Sequence, residues 1–231
     1  MFILGLTKTT LLDYPGRVAA SVFTGGCNFR CPYCHNKDIV LNSRNLTPIC
    51  DELFSFLNKR RNVLTGVCIT GGEPTLHDDL PHFIERIRSL GYQIKLDTNG
   101  TNPHMLETLI ADRLIDYCAM DIKNSPPKYA PTVGLDKSSV SLSDLYESVD
   151  ILLSQSTIHY EFRTTIVKEF HEEADMLAIA KWLRGAESYF LQSYVDSDGV
   201  LCRKLHAHSK ETLESFLNIC RPYIPNTTLR G

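Results

Sequence analysis

The sequence lacks long apolar runs, low-complexity tracts and any excess of positive charge. None of its hydrophobic runs approaches the roughly 18 residues of a membrane span, and the apolar start Met1 to Leu6 is too short for a signal peptide. The formal net charge is −3 over 231 residues, which argues against a bulk electrostatic nucleic-acid binder. We therefore expect a cytoplasmic protein that binds neither membranes nor nucleic acid.

The length predicts one domain. We expect a single domain over residues 1–231, with an N-terminal lead-in over 1–17, a core over 18–194 that could form a partial barrel, and a C-terminal extension with a helix over 195–231. Short apolar runs alternate with amphipathic stretches throughout this core. The alternation is typical of parallel strands joined by right-handed helical crossovers.

The predicted strands cover 18–24, 63–70, 92–98, 117–122, 159–167 and 188–193, and the predicted helices cover 49–60, 79–90, 103–112, 143–155, 172–183 and 209–220. Gly91 is expected to end a helix, and Ser143 and Ser209 are expected to cap the starts of two others. An open doubly wound sheet and a partial (β/α) barrel both fit this pattern. In both, chemistry collects at the carboxyl ends of the strands.

Distinctive residues stand at these strand ends. Cys27 follows the first predicted strand, Glu73 the second and Asn99 the third, while Asp121 and Lys123 lie at the fourth. The strands were placed without reference to these residues. The coincidence therefore predicts a functional site at the carboxyl ends.

Cysteine is unevenly distributed. Three of the eight cysteines, Cys27, Cys31 and Cys34, fall within one short segment, and the others are predicted to be small buried hydrophobes: Cys50, Cys68, Cys118, Cys202 and Cys220. Disulfides are not expected in a reducing compartment. Three thiolates can bind a [4Fe–4S] cluster and leave one iron open.

Two other interpretations of this segment stay open. A zinc site could use His35 as its fourth ligand, although His35 directly follows Cys34, which is awkward for chelating one tetrahedral ion. A saturated electron-transfer cluster could use a remote fourth cysteine, but it would leave the residues at the strand ends unexplained.

The spacing C-x3-C-x2-C, with an aromatic residue before the last cysteine, resembles the radical S-adenosylmethionine (SAM) superfamily. The segment T-G-G-E-P over residues 70–74 resembles its GGEP motif. The resemblance covers nearly the whole chain and implies an α/β fold, a partial (β/α)6 TIM-like barrel with parallel strands and outer helices. It also implies a [4Fe–4S] cluster on Cys27, Cys31 and Cys34 whose open iron binds SAM. Reductive cleavage of SAM then yields a 5′-deoxyadenosyl radical.

Two further segments narrow the family. D-T-N-G over residues 97–100 and D-I-K over 121–123 resemble motifs of the glycyl-radical-enzyme activases. The N-terminal stretch over residues 5–36 and the terminal Leu229-Arg230-Gly231 are most similar to the anaerobic ribonucleoside-triphosphate reductase activating proteins. The resemblance implies hydrogen abstraction from a glycine Cα of a partner glycyl radical enzyme, with flavodoxin or ferredoxin as the electron donor.

Other functions remain open at this point. The partner could be pyruvate formate-lyase or another glycyl radical enzyme. The substrate could instead be a small molecule, as for 7-carboxy-7-deazaguanine synthase. A binding module for zinc or an iron–sulfur cluster, with no enzymatic activity, is a third possibility.

The resemblance also implies roles for single residues. The expected SAM contacts are Tyr33, Asn36, Gly71, Gly72, Glu73, Asn99, Lys123, Arg163 and Gln192. A Na⁺ or K⁺ ion would be held by Asp97, Thr98, Ala119 and Asp121. Asp13 would contact the glycyl loop of the partner, although a type II turn centred on Pro15 and Gly16 explains the same segment without a function. Gln192 stands where some activases have a histidine, and His206 and His208 are expected at the surface.

Overall fold

The computed structural model of the protein describes residues 1–41 and 46–230. Gly231, which belongs to the predicted C-terminal motif, lies outside the described residues. The chain divides into two compact units. The first unit comprises Met1–Asn28, Asp38–Ala119 and Ser156–His159, and the second comprises Phe29–Lys37, Met120–Gln155 and the chain from Tyr160 onward. That the chain acts as a single domain stays a prediction.

Strands and helices alternate along the chain, as predicted. The strands are β1 Ile3–Thr10, β2 Ala19–Thr24, β3 Gly66–Gly71, β4 Gln93–Thr98, β5 Tyr117–Asp121, β6 His159–Ile166, β7 Tyr189–Ser193 and β8 Thr227–Arg230. The helices are α1 Lys37–Leu41, α2 Cys50–Lys59, α3 Leu80–Arg88, α4 Pro103–Ala111, α5 Tyr129–Thr132, α6 Leu142–Ser154, α7 Glu173–Trp182 and α8 Lys210–Cys220. Every predicted strand and helix is present, and β1, β8, α1 and α5 were not predicted.

The first unit is built on parallel strands with an antiparallel addition. In the register of β2, β3 and β4, Ala19 faces Gly66, and Gly66 faces Gln93. Their central residues are almost all buried, which is typical of parallel strands with both faces covered. β1 pairs antiparallel with β2, so the apolar N-terminal residues form part of a strand. β5 begins in this unit and ends in the other.

The second unit contains β6, β7 and β8 in parallel pairing. Arg230 on β8 explains why the C-terminal segment is ordered. Its guanidinium donates to both carboxylate oxygens of the buried Glu161, at 2.8 and 3.1 Å, and lies 3.5 Å from the ring centroid of Phe190. A bidentate pair of this kind fixes the strand in place.

The helix caps confirm two predictions and correct a third. Ser209 caps α8 by accepting a hydrogen bond from Thr212 N at 3.3 Å, and Gly91 has the positive φ of +92° expected after a helix. α6, however, is capped by Ser141, whose Oγ accepts from Asp144 N. Ser143, the predicted cap, lies inside the helix because Ser141 offers the same chemistry two residues earlier.

Burial of the scattered cysteines differs from the prediction in part. No disulfide joins cysteines of the described residues; Cys68, Cys118 and Cys220 are buried, whereas Cys50 and Cys202 are only half-buried. His206 is exposed as predicted, but His208 is half-buried and its Nε2 atom lies 2.9 Å from the His171 carbonyl oxygen, which can only accept a hydrogen bond. In the described ranges, no helix combines the length and the apolar character that crossing a membrane requires.

Candidate active site

Two glycines bring the loop after β3 against the loop after β2. Gly72 N donates to Thr24 O and Glu73 N donates to Gly26 O, both at 2.8 Å. A Cβ atom on Gly72 would lie 1.8 Å from Gly26 O, and Gly71 has a φ of +106°. Only glycine fits both positions. The close approach therefore sets the backbone immediately before Cys27.

Glu73 joins the ends of β3 and β4 through a buried carboxylate that is 1% exposed. Its Oε1 atom accepts from the hydroxyls of Thr75 and Thr98 at 2.6 and 2.7 Å, and its Oε2 atom accepts from Asn99 N at 2.6 Å. Burial raises the pKa of Glu73, while these hydrogen bonds oppose the rise. Its contact with SAM stays a prediction.

Asn99 connects the D-T-N-G segment to the first cysteine. Its Nδ2 atom donates to Asn28 Oδ1 at 2.8 Å and lies 4.0 Å from Cys27 Sγ. Thr101 Oγ1 accepts from Asn28 Nδ2 at 2.8 Å and donates to Asn99 Oδ1 at 2.7 Å. Cys27, Asn28, Asn99 and Thr101 thus form one polar cluster. Neither Asn28 nor Thr101 was predicted to have a role, although Asn28 lies inside the cysteine motif and Thr101 directly follows D-T-N-G.

Asp97 has a cationic partner that the sequence analysis missed. Lys95, two residues earlier on β4, forms an ion pair with Asp97 Oδ1, and the two side chains are 2% and 14% exposed. The buried Thr98 donates a hydrogen bond from its hydroxyl to Glu73 Oε1, and Ala119 is fully buried in β5. Lys95 sits within an apolar run, so nothing in the pattern marked it as part of the site.

In the second unit, backbone hydrogen bonds hold the segment that carries Cys31 and Cys34. Cys34 N donates to Cys31 O at 3.0 Å, and Arg30 N donates to Val133 O at 2.9 Å. Gly134 has a φ of +70°, and a Cβ on it would lie 2.4 Å from Arg30 O. The cysteine turn thus rests on the loop after α5, and that loop needs its glycine.

The thiol of Cys31 is buried and the thiol of Cys34 is half-buried. Burial raises the pKa of Cys31 to about 11, and the nearby Lys123 ammonium opposes this rise. Thiolates, and not thiols, bind metals, so loading the site must release a proton from Cys31. The presence of a cation close to Cys31 favours that release.

Tyr33 carries a buried hydroxyl without a hydrogen-bond partner among the described residues. The residue is 4% exposed, and its ring centroid lies 6.0 Å from that of Phe170. An unsatisfied buried hydroxyl costs about 1–3 kcal/mol. Such a group fits a side chain that meets a bound ligand. Asn36, also expected to contact SAM, is half-buried.

Asp121 and Lys123, at the end of β5, form a charge triad with Arg163 from the middle of β6. Lys123 Nζ lies 3.0 Å from Asp121 Oδ2, and Arg163 Nε lies 2.9 Å from Asp121 Oδ1. Burial acts to raise the pKa of Asp121, but the two cations outweigh it and bring the pKa to about 2. Asp121 and Lys123 of the D-I-K motif therefore form one cluster with Arg163, and all three residues were predicted site residues.

His171 is a positioning residue that the sequence analysis missed. It is fully buried, and its Nε2 atom lies 2.9 Å from Lys123 O. Burial lowers its pKa, which favours the neutral imidazole. The ring fixes the backbone that carries the Lys123 ammonium, from a position 48 residues further along the chain.

The triad predicts a specific acid dependence of stability. Because the folded pKa of Asp121 is lower than its unfolded value, the stabilisation is present above about pH 4 and is lost as the pH falls toward 2. We expect its contribution to be on the order of 2 kcal/mol. Denaturant unfolding of the apoprotein between pH 7 and 3 should show a steeper loss for the wild type than for Asp121→Asn.

The control for this measurement is Asp198→Asn, because the carboxylate of Asp198 is 96% exposed and pairs with Arg203 at the surface. It should follow the wild type. If Asp121→Asn has the wild-type dependence on pH, the triad does not carry the assigned charge coupling.

Gln192 and Asp13 are the two remaining residues with a predicted role. Gln192 is half-buried on β7, facing Arg230 across the strand pair, and its SAM contact stays a prediction. Asp13 accepts a hydrogen bond from Ser21 Oγ. The turn that follows it is closed by Arg17 N donating to Tyr14 O at 3.1 Å, with Gly16 at a φ of +73°. These are the features of the type II turn that we expected.

Residues 21–179 match the family model of the radical SAM superfamily. This match covers more than half of the chain and contains the cysteine segment and the T-G-G-E-P, D-T-N-G and D-I-K motifs. The chain belongs to the radical SAM superfamily. Members of this superfamily use a [4Fe–4S] cluster and SAM, so the zinc and purely electron-transfer interpretations give way to that of a radical SAM enzyme.

A relative from Methanocaldococcus jannaschii, provisionally named a glycyl-radical enzyme activating enzyme, is 32% identical over 98% of this chain and 94% of its own. The 7-carboxy-7-deazaguanine synthase of Aquifex aeolicus is 38% identical over 79 residues, which is 33% of each chain. The latter similarity is thus confined to one third of the radical SAM chain.

Solved structures confirm the fold. TYW1 with a lysine-pyruvate adduct bound has a TM-score of 0.66 at 14% identity, covering 89% of this chain and 74% of that one. Streptococcus suis SuiB bound to precursor peptide SuiA also has a TM-score of 0.66, at 15% identity, covering 89% of this chain and 47% of SuiB. The partial TIM-like barrel of the radical SAM enzymes is therefore the fold of this chain.

The residues present fit the cofactors of this superfamily. None of the three motif cysteines forms a disulfide with a described residue, and the Tyr33 hydroxyl has no hydrogen-bond partner among the described residues. Gly72 lets the loop after β3 lie against Gly26, directly before Cys27, where a Cβ would clash. His35, the fourth ligand of the zinc interpretation, instead has its Nε2 atom 2.8 Å from Val195 O.

Proposed function

We propose that this radical SAM enzyme is an activase that generates a glycyl radical on a partner enzyme, namely an anaerobic ribonucleoside-triphosphate reductase. The similarity to the M. jannaschii activating enzyme carries this proposal, because it extends over 98% of this chain and 94% of that relative. The D-T-N-G and D-I-K motifs, whose residues lie beside Cys27 in one unit and near Cys31 in the other, support it.

In this proposal Cys27, Cys31 and Cys34 hold the [4Fe–4S] cluster. The SAM contacts are Gly71, Gly72, Glu73, Asn99, Tyr33, Asn36, Lys123, Arg163 and Gln192. When bound, the cluster would supply one electron for the cleavage of SAM to methionine and a 5′-deoxyadenosyl radical, which would take a hydrogen atom from a glycine Cα. The electron comes from a reduced flavodoxin or ferredoxin.

The protein has to orient these groups and shield the radical, since the cofactors carry the hard chemistry. Glu73 holds the backbone of Asn99 rigid by accepting its N–H, and His171 holds that of Lys123. Tyr33, Phe170 and Tyr129 surround the cysteine turn with aromatic side chains. A transfer of a hydrogen atom requires no general base, and none of these residues is assigned that role.

The partner is a folded protein that must present a glycine loop. SuiB, which shares this fold, is itself bound to a precursor peptide. In our proposal Asp13, on the exposed turn between β1 and β2, contacts the glycyl loop of the partner. Its bond with Ser21 Oγ would orient the carboxylate toward that loop.

The test combines electron paramagnetic resonance with deuterium tracing. We would incubate the reconstituted, reduced enzyme with SAM and an anaerobic ribonucleotide reductase grown with α-deuterated glycine. The expected result is a glycyl radical signal on the reductase and deuterium in the 5′-deoxyadenosine. SAM cleavage without either signal would overturn the reductase assignment and leave another glycyl radical enzyme or a small molecule as substrate.

A small-molecule reaction of the 7-carboxy-7-deazaguanine synthase type is the alternative. One observation favours it, the 38% identity over 79 residues with the A. aeolicus enzyme. The deuterium experiment separates the two functions, because a small-molecule enzyme would not take hydrogen from glycine of the reductase.

A further inference from the structure

Lys95 is a charged side chain in the buried part of β4. Its neighbours Ile94 and Leu96 are fully buried, and its own side chain is only 2% exposed. A buried ammonium is costly unless a carboxylate compensates for its lost hydration. Asp97 provides that carboxylate, since residues two apart on a strand point to the same side.

The surroundings of Lys95 Nζ give the ammonium a defined position. Besides its ion pair with Asp97 Oδ1, it lies 3.9 Å from Cys68 Sγ on the neighbouring strand and 5.9 Å from the ring centroid of Tyr117. In the register of β3 and β4, Cys68 directly faces Lys95. The charge is therefore held in the buried middle of β4, on the same side of the strand as Asp97.

The predicted Na⁺ or K⁺ site does not fit these residues. Both carboxylates expected to bind the ion already face cations of the protein: Asp97 faces Lys95, and Asp121 faces Lys123 and Arg163. An ammonium and an alkali ion carry the same charge, so they repel each other at a shared carboxylate. No step of the reaction is assigned to such an ion.

We propose that the Lys95 ammonium is a built-in substitute for the monovalent cation at Asp97, so that the enzyme needs neither Na⁺ nor K⁺ there. Lys95 supplies one positive charge with three hydrogen-bond donors. It is a positioning residue, because it acts through the carboxylate of Asp97. The assignment of this carboxylate to the active site rests on the proposed function.

Sodium binding to the apoprotein tests the site without any catalysis. Excess ²³Na relaxation, measured with and without competing KCl, should be the same for the wild type and for Lys95→Met/Asp97→Asn. Lys95→Met alone keeps the carboxylate and removes the ammonium, so it should show additional relaxation that KCl abolishes. The proposal is wrong if the wild type shows excess ²³Na relaxation that Asp97→Asn removes. It is also wrong if Lys95→Met is folded but binds no sodium.

Activity provides the second readout. We compare the rate of SAM cleavage in KCl with the rate in tetramethylammonium chloride at equal ionic strength. The two rates should differ by less than about twofold for the wild type, whereas Lys95→Met should cleave SAM at least about tenfold faster in KCl. If Lys95→Met fails to fold, the wild type still tests the proposal. A wild-type enzyme that cleaves SAM about tenfold faster in KCl than in tetramethylammonium chloride would refute the idea that Lys95 replaces the ion. Absence of SAM cleavage in every salt would refute the proposed function instead, and the sodium measurement would still test Lys95.

Discussion

Replacing Cys31 with alanine should abolish SAM cleavage. Loss of a residue that only supports a metal ligand costs about 10–100-fold in metal affinity, so loss of a ligand should cost more than about 100-fold. Cys31 is 7% exposed, and removing its Sγ leaves a small gap in the turn. We therefore expect a folded variant with little bound iron. The measurements are iron and sulfide content, 5′-deoxyadenosine formed after reduction, and a circular dichroism spectrum as the check of folding.

Cys202→Ala is the sharpest control for this experiment. Its backbone N donates to Pro32 O at 2.8 Å, so among the scattered cysteines it has a described contact within the cysteine turn. A saturated cluster would draw its fourth ligand from such a position. With an open iron, Cys202→Ala should keep both the cluster and SAM cleavage. If it loses the cluster as Cys31→Ala does, the open-iron assignment fails. If Cys31→Ala retains SAM cleavage, the central assignment fails.

The strand and helix alternation was predictable because parallel strands buried on both faces give continuous apolar runs. β3 is an example, with Val67, Cys68 and Ile69 all fully buried. β1 and β8 escaped prediction because most of their residues are exposed or half-buried, so the apolar start of β1 is short and polar residues follow it, and β8 shows no apolar run. Both add to strands that were predicted, and neither changes the fold class.

Residues of the candidate site could be predicted where they belong to a contiguous sequence motif. The cysteines, the glycine pair and Asn99 all belong to such motifs. Lys95 and His171 could not be found in this way, because their roles depend on side chains that meet only after folding. Lys95 looked like a polar interruption of a strand, and His171 contacts a carbonyl 48 residues away in sequence. The proposal that Lys95 replaces an alkali ion at Asp97 rests on such a contact.

Gly72→Ala should be the most damaging change among the loop glycines. The added Cβ would lie 1.8 Å from Gly26 O and 2.6 Å from Gly26 C. Backbone atoms cannot rotate away as a flexible side chain can, so the loop after β3 must move from the loop that leads into Cys27. We expect a loss of stability of more than about 2 kcal/mol and, because Cys27 shifts with Gly26, a loss of SAM cleavage of more than about 100-fold.

Gly185→Ala separates this close contact from ordinary backbone strain. Gly185 has a φ of +86°, yet its Cβ would meet nothing within 4 Å, so the variant costs only the left-handed penalty of about 1 kcal/mol. It should cleave SAM like the wild type. Comparing thermal unfolding, iron content and SAM cleavage for both variants isolates the effect of the contact. If Gly72→Ala performs as well as Gly185→Ala, the two loops do not need to touch. If Gly72→Ala remains folded but holds no cluster, the contact serves the position of Cys27 more than the stability of the fold.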